Sequence, residues 1–327
     1  MNGFRIPLGE WAEAVVDFLG SALGGLFDLI STVLKSVYGG LEWVLSAPPF
    51  WIIIVVFAAV AFAVRGWRLA LGTALGLLVI VGVGQWGNAM DTLALVLVAA
   101  AAAVVIAIPI GIWAARNDHV SRIVRPVLDF LQTMPAFVYL IPAIIFFGVG
   151  AVPGMIATIM FAVAPGVRLT ELGIRGVDAE IVEAGQAFGA TPGRILRQIQ
   201  IPLALPSIMA GINQVIMLSL SMVVIAGMVG AGGLGGEIVK AIGRINVGLG
   251  FEAGVSVVII AMILDRITSA LGRGDRPRSI RRTARADQAD ATPTDQASPS
   301  LAGDAETPRL TNNDQSANST RMERTSR

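Results

Sequence analysis

The chain has 327 residues, of which 54% are hydrophobic and only 14% are charged, whereas a soluble protein of this length carries roughly a quarter charged residues. The lack of cysteine excludes disulfides, thiolate nucleophiles and cysteine-based metal sites, and the single histidine, His119, excludes sites that need a histidine pair. The net charge of +1 indicates no particular partner, and we expect no nucleic-acid partner. The high hydrophobic and low charged fractions predict a polytopic membrane protein with a soluble tail.

The first 49 residues lack the basic stretch and apolar core of a signal peptide. Instead, apolar and polar residues recur at helical spacing, which predicts an amphipathic helix that lies on the membrane surface or packs along the bundle. Pro48 and Pro49 end this segment. The apolar side of the predicted helix comprises Trp11, Val15, Phe18, Ala22, Leu26, Leu29 and Val33.

Seven apolar runs follow, and each is a candidate transmembrane helix because a span needs about 20 apolar residues, or fewer where neighbours help. The ends of the first two runs and of the fifth are the least sharply marked. In the second run, Gly72 and Gly76 have the small-xxx-small spacing that allows close helix contact. The runs are 50–64, 69–84, 92–115, 131–148, 155–167, 207–229 and 253–271.

Arginine and lysine predict the orientation of these spans, because positive charge is concentrated in cytoplasmic connections. The turn 65–68 and the stretch 273–282 after the last run are rich in arginine, whereas the connections 85–90 and 150–153 carry no positive charge. The connection 237–252 carries charges of both signs. The pattern predicts an extracytoplasmic amino terminus and a cytoplasmic carboxyl terminus, which agrees with an odd number of spans.

A polar stretch at 178–206 carries two sets of helix start and stop signals, and it predicts two short helices joined by a bend. The first helix starts with the acidic Asp178 and ends at Gly189. Thr191 and Pro192 fit the N-cap and first turn of the second helix. The central connection is predicted to be cytoplasmic because it carries Arg168, Arg175, Arg194 and Arg197.

The residues 230–235 match G-x-G-x-x-G, but a dinucleotide site also requires a preceding strand and a βαβ unit. Here an apolar run precedes the motif and the connection is predicted to face outwards. A flexible or tightly turned loop at the outer mouth is therefore the better interpretation. No G-x-x-x-x-G-K-[ST] motif occurs, so the chain does not bind ATP through a P-loop.

Polar side chains inside the apolar runs are candidates for a solute pathway, because such groups face a bundle interior or a water-filled cavity. Pro135 and Pro142 fit this view, since broken helices are tolerated where they line a cavity. Hydrogen bonds between helices explain each candidate equally well. Asp91, Asp129 and Asp265 all lie near the ends of runs, which argues against an ion relay of membrane carboxylates. The candidates are Gln132, Thr133, Tyr139, Asn213, Gln214, Ser219 and Ser221.

The polar stretch resembles the conserved cytoplasmic motif of ATP-binding-cassette importer permeases, which reads Glu-Ala-Ala, three residues, Gly, nine residues, Ile, one residue, Leu-Pro. This chain has Glu183-Ala184-Gly185, then Gly189, then Ile199-Gln200-Ile201-Pro202. It departs from the motif at Gly185 and Ile201, and neither departure adds charge. In that family the two short helices form the coupling element that sits in a groove of the ATPase subunit.

The resemblance implies a role for each residue of this coupling element. Glu183 contacts the ATPase through its carboxylate, Gly189 permits the bend, and Ala184 and Phe188 pack in the groove. The implied ATPase-coupling residues are Glu183, Ala184, Gly185, Phe188, Gly189, Ala190 and Arg194.

The stretches 128–154, 213–235 and 263–268 resemble the permease of the glycine betaine and proline betaine uptake family, and the resemblance covers roughly 43–272. It implies an all-α membrane protein with the type I importer permease fold. It also implies a second permease copy, two ATP-binding-cassette ATPase subunits and a separate extracytoplasmic binding protein. Because ATP would bind to the ATPase subunits, we expect no cofactor and no metal on this chain.

The expected organisation is an extracytoplasmic segment at 1–49, a permease domain at 50–272 with its coupling segment at 171–205, and a disordered cytoplasmic tail at 273–327. The basic start of the tail could contact anionic membrane lipid. The expected function is translocation of glycine betaine or a related osmolyte, not enzymatic catalysis. The alternatives are a permease for choline, carnitine or proline, and an ion-coupled secondary transporter.

Overall fold

The computed structural model describes residues 8–271, where the backbone forms thirteen α-helices and one π-helical turn and no β-strand. The all-α prediction is therefore confirmed, and the predicted tail at 273–327 lies outside the described residues. The elements are α1 (Leu8–Ser46), α2 (Phe50–Arg65), α3 (Trp67–Gly82), α4 (Trp86–Arg116), α5 (Asp118–Thr133), α6 (Ala136–Phe147), α7 (Ala151–Arg175), α8 (Ala179–Ala187), α9 (Pro192–Ile195), the π turn (Leu196–Gln200), α10 (Ile201–Ser221), α11 (Val223–Met228), α12 (Gly233–Arg244) and α13 (Val247–Leu271).

Several of these helices could cross a membrane by length and composition. The bent pair of α5 and α6 would be a further span, which gives five or six candidates in the described chain, against the seven predicted. The difference arises because α2 and α3 are apolar but only 16 residues each. In contrast, α1, which the sequence predicts as a surface helix, is long and apolar enough to be a candidate span. The five long candidates are Gly9–Ser46, Trp86–Arg116, Ala151–Arg175, Pro192–Met228 and Val247–Ala270.

The predicted span 131–148 is not one straight helix. It starts inside α5 and is broken before α6, where the chain bends by 100°. Met134 is extended, with φ −71° and ψ 137°, because the ring of Pro135 disfavours the helical conformation of the residue before it. Pro142 lies inside α6 without ending it.

Helices α4, α7 and α10 form the centre of the bundle, where small residues let the backbones approach closely. A Cβ added to Gly166 would lie 2.8 Å from Cβ of Ala107 and 3.0 Å from Cγ2 of Val215. At Gly173 it would lie 2.7 Å from Cβ of Ser207. Larger side chains at these two glycines would force the helices apart. Since the polar stretch connects the end of α7 to the start of α10, the close packing of these helices also positions its two ends.

Helix α1 contacts the bundle along one side only. Its Phe27 stacks on Phe146 of α6 with ring centroids 4.5 Å apart, and Leu34 and Leu45 are buried in the main core. The apolar stripe that the sequence predicts lies on a different side of α1, and this side is exposed in the single chain. The exposed stripe includes Trp11, Val15, Phe18, Leu26, Leu29 and Val33.

The residues 230–232 form a tight turn between α11 and α12, residues 233–235 begin α12, and a helix rather than a strand precedes the motif. Gly232 and Gly233 have φ values of 77° and 60°, which residues other than glycine seldom adopt. A Cβ on Gly235 would lie 2.1 Å from the carbonyl oxygen of Val223. Close packing of α11 on α12 therefore explains these glycines without a bound nucleotide.

Candidate coupling segment and solute pathway

The N-terminal end of α8 is capped by its own sequence. The side chain of Asp178 accepts a hydrogen bond of 2.9 Å from the backbone N–H of Glu180. Asp178 thus satisfies one of the backbone donors left free in the first turn of a helix. Both acidic residues also lie at the positive end of the helix dipole. The predicted start of the first short helix is correct.

The C-terminal end of α8 is closed by Gly189, whose φ of 76° is left-handed. The Ala190 N–H donates to the Gly185 carbonyl at 3.1 Å, and the Gly189 N–H donates to the Gln186 carbonyl at 2.8 Å. This pair of hydrogen bonds is the Schellman motif, which reverses the chain at a helix end. The bend between α8 and α9 is therefore fixed by local hydrogen bonds.

The second predicted helix is not separate. After Thr191 the chain enters α9 and continues through the π turn into α10, so the whole stretch Pro192–Met228 counts as one candidate span. The Thr191 side chain makes no capping hydrogen bond. Pro202 does not end the helix, because it lies in the first turn of α10 directly after the wider π turn.

The boundaries of the polar segment also differ from the predicted 171–205. Arg168 and Arg175, which the sequence analysis assigned to a connection, lie inside α7, because that helix runs to Arg175 rather than ending at residue 167. Residues 201–205 already belong to α10. The structure thus joins both ends of the segment directly to helices of the bundle.

The segment has an outward and an inward side. Phe188 is 92% exposed, and Glu183, Ala184 and Arg194 are exposed as well. Gly185 faces inwards, where an added Cβ would lie 2.8 Å from Cδ1 of Ile199 and 3.6 Å from Cγ1 of Ile195. The glycine that departs from the family motif is therefore the contact between α8 and the helix that leads into α10.

Two of the pathway candidates are buried and donate hydrogen bonds to backbone carbonyls nearby in sequence. The Tyr139 hydroxyl donates to the Leu131 carbonyl, across the bend between α5 and α6. Ser219 is fully buried, and its hydroxyl donates to the Val215 carbonyl at 2.8 Å. These contacts favour a structural role for Tyr139 and Ser219.

Asn213 joins two helices. Its amide nitrogen donates to Oδ1 of Asp265 at 3.3 Å, and its amide oxygen accepts a hydrogen bond of 2.7 Å from the Thr268 hydroxyl. The Ser269 hydroxyl also donates to Asp265, at 3.1 Å. Of the two roles open for Asn213, a pathway residue or a hydrogen bond between helices, the structure shows the second, between α10 and α13. Sequence reasoning had no signal for these partners, which lie more than fifty residues away.

The remaining candidates, Gln132, Thr133, Gln214 and Ser221, are exposed in the single chain. The hydroxyls of Thr133 and Ser221 donate to the carbonyls of Phe130 and Met217 in their own helices. Gln132 and Thr133 lie at the end of α5, whereas Gln214 and Ser221 lie two turns apart on α10. The seven candidates therefore do not converge on one enclosed cavity.

A polar network that the sequence did not predict lies at the end of α7, just before the polar stretch 178–206. Glu171 is buried at 3% exposure, and its carboxylate accepts hydrogen bonds from Ser121 at 2.7 Å and Arg125 at 2.9 Å. It also pairs with Arg175 at 3.1 Å, and Arg175 pairs with Asp118 at 2.7 Å. The i, i+4 spacing of Glu171 and Arg175 was the one local signal. The network fastens α5 to the end of α7.

A scan against protein families matches residues 107–274 to the binding-protein-dependent transport system inner membrane component. The glycine betaine/proline betaine transport system permease protein ProW of Escherichia coli is 45% identical over 85% of this chain and 78% of its own length. The glycine betaine transport system permease protein OpuAB of Bacillus subtilis is 47% identical over 81% of this chain and 94% of its own length.

Among solved structures, an inward-facing conformation of the MetNI methionine ABC transporter aligns with a TM-score of 0.53, covering 57% of this chain and 93% of the other. At 23% identity this likeness concerns the fold alone, and it confirms the predicted type I importer permease fold. The family match covers half of the chain, and the relatives match along most of their length. The chain therefore belongs to the family of binding-protein-dependent transport system inner membrane components.

Proposed function

We propose that this chain is the permease subunit of an ATP-driven importer that translocates glycine betaine or a related quaternary ammonium osmolyte across the cell membrane. The observation that carries the substrate class is the identity of 45–47% to three permeases named for glycine betaine, over at least 78% of their lengths. Permeases named for carnitine alone or for choline are more distant, at 32% and 30%.

The ATP-hydrolysing partner is a separate ATPase subunit, and this chain is a translocation subunit without catalytic groups or a cofactor of its own. The support is the exposure of α8 and its C-cap, where Phe188 is nearly fully exposed and Glu183 is exposed as well. A large aromatic side chain that is almost fully exposed is typical of an interface residue. A second permease copy and an extracytoplasmic binding protein complete the proposed assembly.

The proposed mechanism is alternating access driven through α8. ATP-dependent closure of the ATPase dimer moves α8, and the contact of Gly185 with Ile195 and Ile199 transfers this movement to α9 and the π turn. Because these elements continue into α10 without a break, the movement reaches a helix at the centre of the bundle. The central helices then alternate between outward-open and inward-open arrangements.

The test uses the complex of permease, ATPase and binding protein in proteoliposomes. Phe188→Ala and Glu183→Lys should each reduce ATP-driven glycine betaine uptake by about tenfold or more, because an interface anchor is lost. Phe251→Ala is the matched control, since Phe251 is also highly exposed but lies on α13. Uptake and ATPase co-purification that stay at the wild-type level in both α8 variants would show that α8 does not dock the ATPase.

Carnitine is the second candidate substrate, because a permease named for glycine betaine and carnitine, GbuB of Listeria monocytogenes, is 46% identical. Competition by unlabelled glycine betaine, carnitine, choline and proline against labelled glycine betaine uptake separates these solutes. Uptake that needs an ion gradient and no ATP would instead support a secondary transporter.

A further inference from the structure

Helix α5 has three sides of different character. One side, with Val124 and Leu128, packs into the bundle. A second side, with Ile123 and Phe130, is apolar and exposed, as expected of a surface that meets lipid. The third side is polar along the whole helix, because its members recur at helical spacing. They are Asp118, Ser121, Arg122, Arg125, Asp129, Gln132 and Thr133.

The polar side continues onto α7, where Arg168 forms an ion pair with Asp129. Arg168 precedes the last residue of α7, Arg175, by about two turns, so the pair lies roughly 10 Å from the end of that helix. Beyond the pair, α5 carries Gln132 and Thr133 just before the 100° bend. A continuous polar surface thus leads from the end of the bundle that carries α8 towards its middle.

Both members of the pair are accessible: 41% of the Arg168 side chain and 63% of the Asp129 side chain are exposed. A long arginine can extend its charged head towards the membrane surface while its stem stays in an apolar region. The short Asp129 side chain has no such reach. A carboxylate at this depth would be costly against lipid, so this side of α5 is expected to face water or a polar passage.

We propose that Asp129 and Arg168, together with Gln132 and Thr133, line the inner half of the solute pathway and form a transient binding site for a small zwitterion. This proposal rests on the proposed function, because that function makes the end with α8 cytoplasmic and the solute a zwitterion. It adds two charged residues to the pathway, and one of them, Asp129, lies near the end of an apolar run.

A zwitterion suits this pair chemically. Its carboxylate replaces Asp129 as the partner of Arg168, and its quaternary ammonium replaces Arg168 as the partner of Asp129. Neither protein charge is left unpaired during the exchange, which avoids the cost of an isolated charge inside the membrane. A solute with a single charge would leave one of the two residues without a partner.

Single cysteines test whether the polar side meets water, and the chain itself contains no cysteine that would interfere. Asp129→Cys and Gln132→Cys in the full complex should react with a membrane-impermeant thiol reagent added from the cytoplasmic side, because the reactive thiolate forms in water. The matched control is Phe130→Cys, since Phe130 is 60% exposed and adjacent in sequence but lies on the apolar side. Equal labelling at 129 and 130, or none at 129 and 132, would overturn the proposal.

Uptake by the reconstituted complex tests the binding role. Asp129→Asn and Arg168→Gln should each reduce glycine betaine uptake by about tenfold, while ATP hydrolysis stimulated by the loaded binding protein stays within about twofold of wild type. The double variant should be no better than either single variant. If the pair only fastens α5 to α7, the double variant should recover uptake, because it leaves no unpaired charge.

The control for charge neutralisation is Lys240→Gln, which breaks the ion pair of 2.7 Å between Lys240 and Glu237 on α12 and should leave uptake unchanged. Wild-type levels of uptake in both single variants would refute the binding role. Failure of the wild-type complex to transport glycine betaine would refute the proposed substrate instead, whereas the labelling result stands independently of the solute.

Discussion

At the scale of single residues, Gly189 and Gly193 show how differently two glycines of one segment are used. Gly189 has a φ of 76° at the end of α8, whereas Gly193 has an ordinary helical backbone in α9. Neither position has a neighbouring atom within 4 Å of an added Cβ among the described residues. Alanine at the two positions therefore differs only in backbone strain.

We expect Gly189→Ala to lower the free energy of unfolding by about 1–2 kcal/mol, because an L-residue pays for the left-handed conformation. Gly193→Ala should be neutral or should raise it by up to about 1 kcal/mol, since alanine favours a helix. Thermal unfolding of the detergent-solubilised protein measures both. Equal shifts in the two variants would show that the left-handed turn at Gly189 is not maintained in solution.

Glu171 is the second case at this scale, because one buried carboxylate accepts hydrogen bonds from Ser121 and Arg125 and pairs with Arg175. Glu171→Gln should lower the free energy of unfolding by about 1.5–3 kcal/mol, the usual range for hydrogen bonds to a charged group. Glu237→Gln is the control, since Glu237 has a single ion-pair partner on its own helix. Denaturant titration in detergent should show a larger loss of unfolding free energy for Glu171→Gln than for Glu237→Gln. An equal loss in both variants would show that the buried contacts of Glu171 add no stability beyond a single ion pair.

At the scale of elements, Thr92 fastens α4 to the start of α12. Its hydroxyl oxygen accepts a hydrogen bond of 2.8 Å from the buried N–H of Leu234, and the hydroxyl donates to the Asn88 carbonyl. Thr73 on α3 is equally buried, but its hydroxyl has no hydrogen-bond partner among residues 8–271. The two threonines form a matched pair for measuring this contact.

Thr92→Val should cost about 1–3 kcal/mol, because the buried Leu234 N–H is left without an acceptor. Thr73→Val should be neutral or stabilising, since it removes a buried polar group that has no partner. The difference in melting temperature between the variants measures the contact. A larger loss in Thr73→Val than in Thr92→Val would show that the hydrogen bond from Leu234 is not what holds α12 on α4.

The elements also show where local signals were sufficient. The acidic cap at Asp178 and the glycine stop at Gly189 are encoded within a few residues, and α8 begins and ends there. The prediction of a second short helix is wrong, because the chain continues past Pro202 into α10 without a break. A proline in the first turn after a π turn lacks only an N–H that the wider turn does not require.

At the scale of the whole molecule, the distribution of charge predicts that the turn between α2 and α3 is cytoplasmic and that the starts of α7 and α13 are outside. Val149 just before α7 and Val247 at the start of α13 are highly exposed, and Arg68 is exposed in the first turn of α3, next to that connection. In intact cells, a membrane-impermeant thiol reagent should label Val149→Cys and Val247→Cys and should label Arg68→Cys only after permeabilisation. The reverse pattern would invert the orientation.

The helical class and the two ends of α8 at Asp178 and Gly189 follow from the sequence, because periodicity and capping residues act over a few neighbouring residues. The contacts of the polar side chains in the bundle depend on the tertiary structure instead. Asn213 meets α13 across more than fifty residues, and Asp129 meets Arg168 across 39. Which residues meet at such separations depends on how α5, α7, α10 and α13 pack, and small residues such as Gly166 and Gly173 set that packing through contacts with helices remote in sequence.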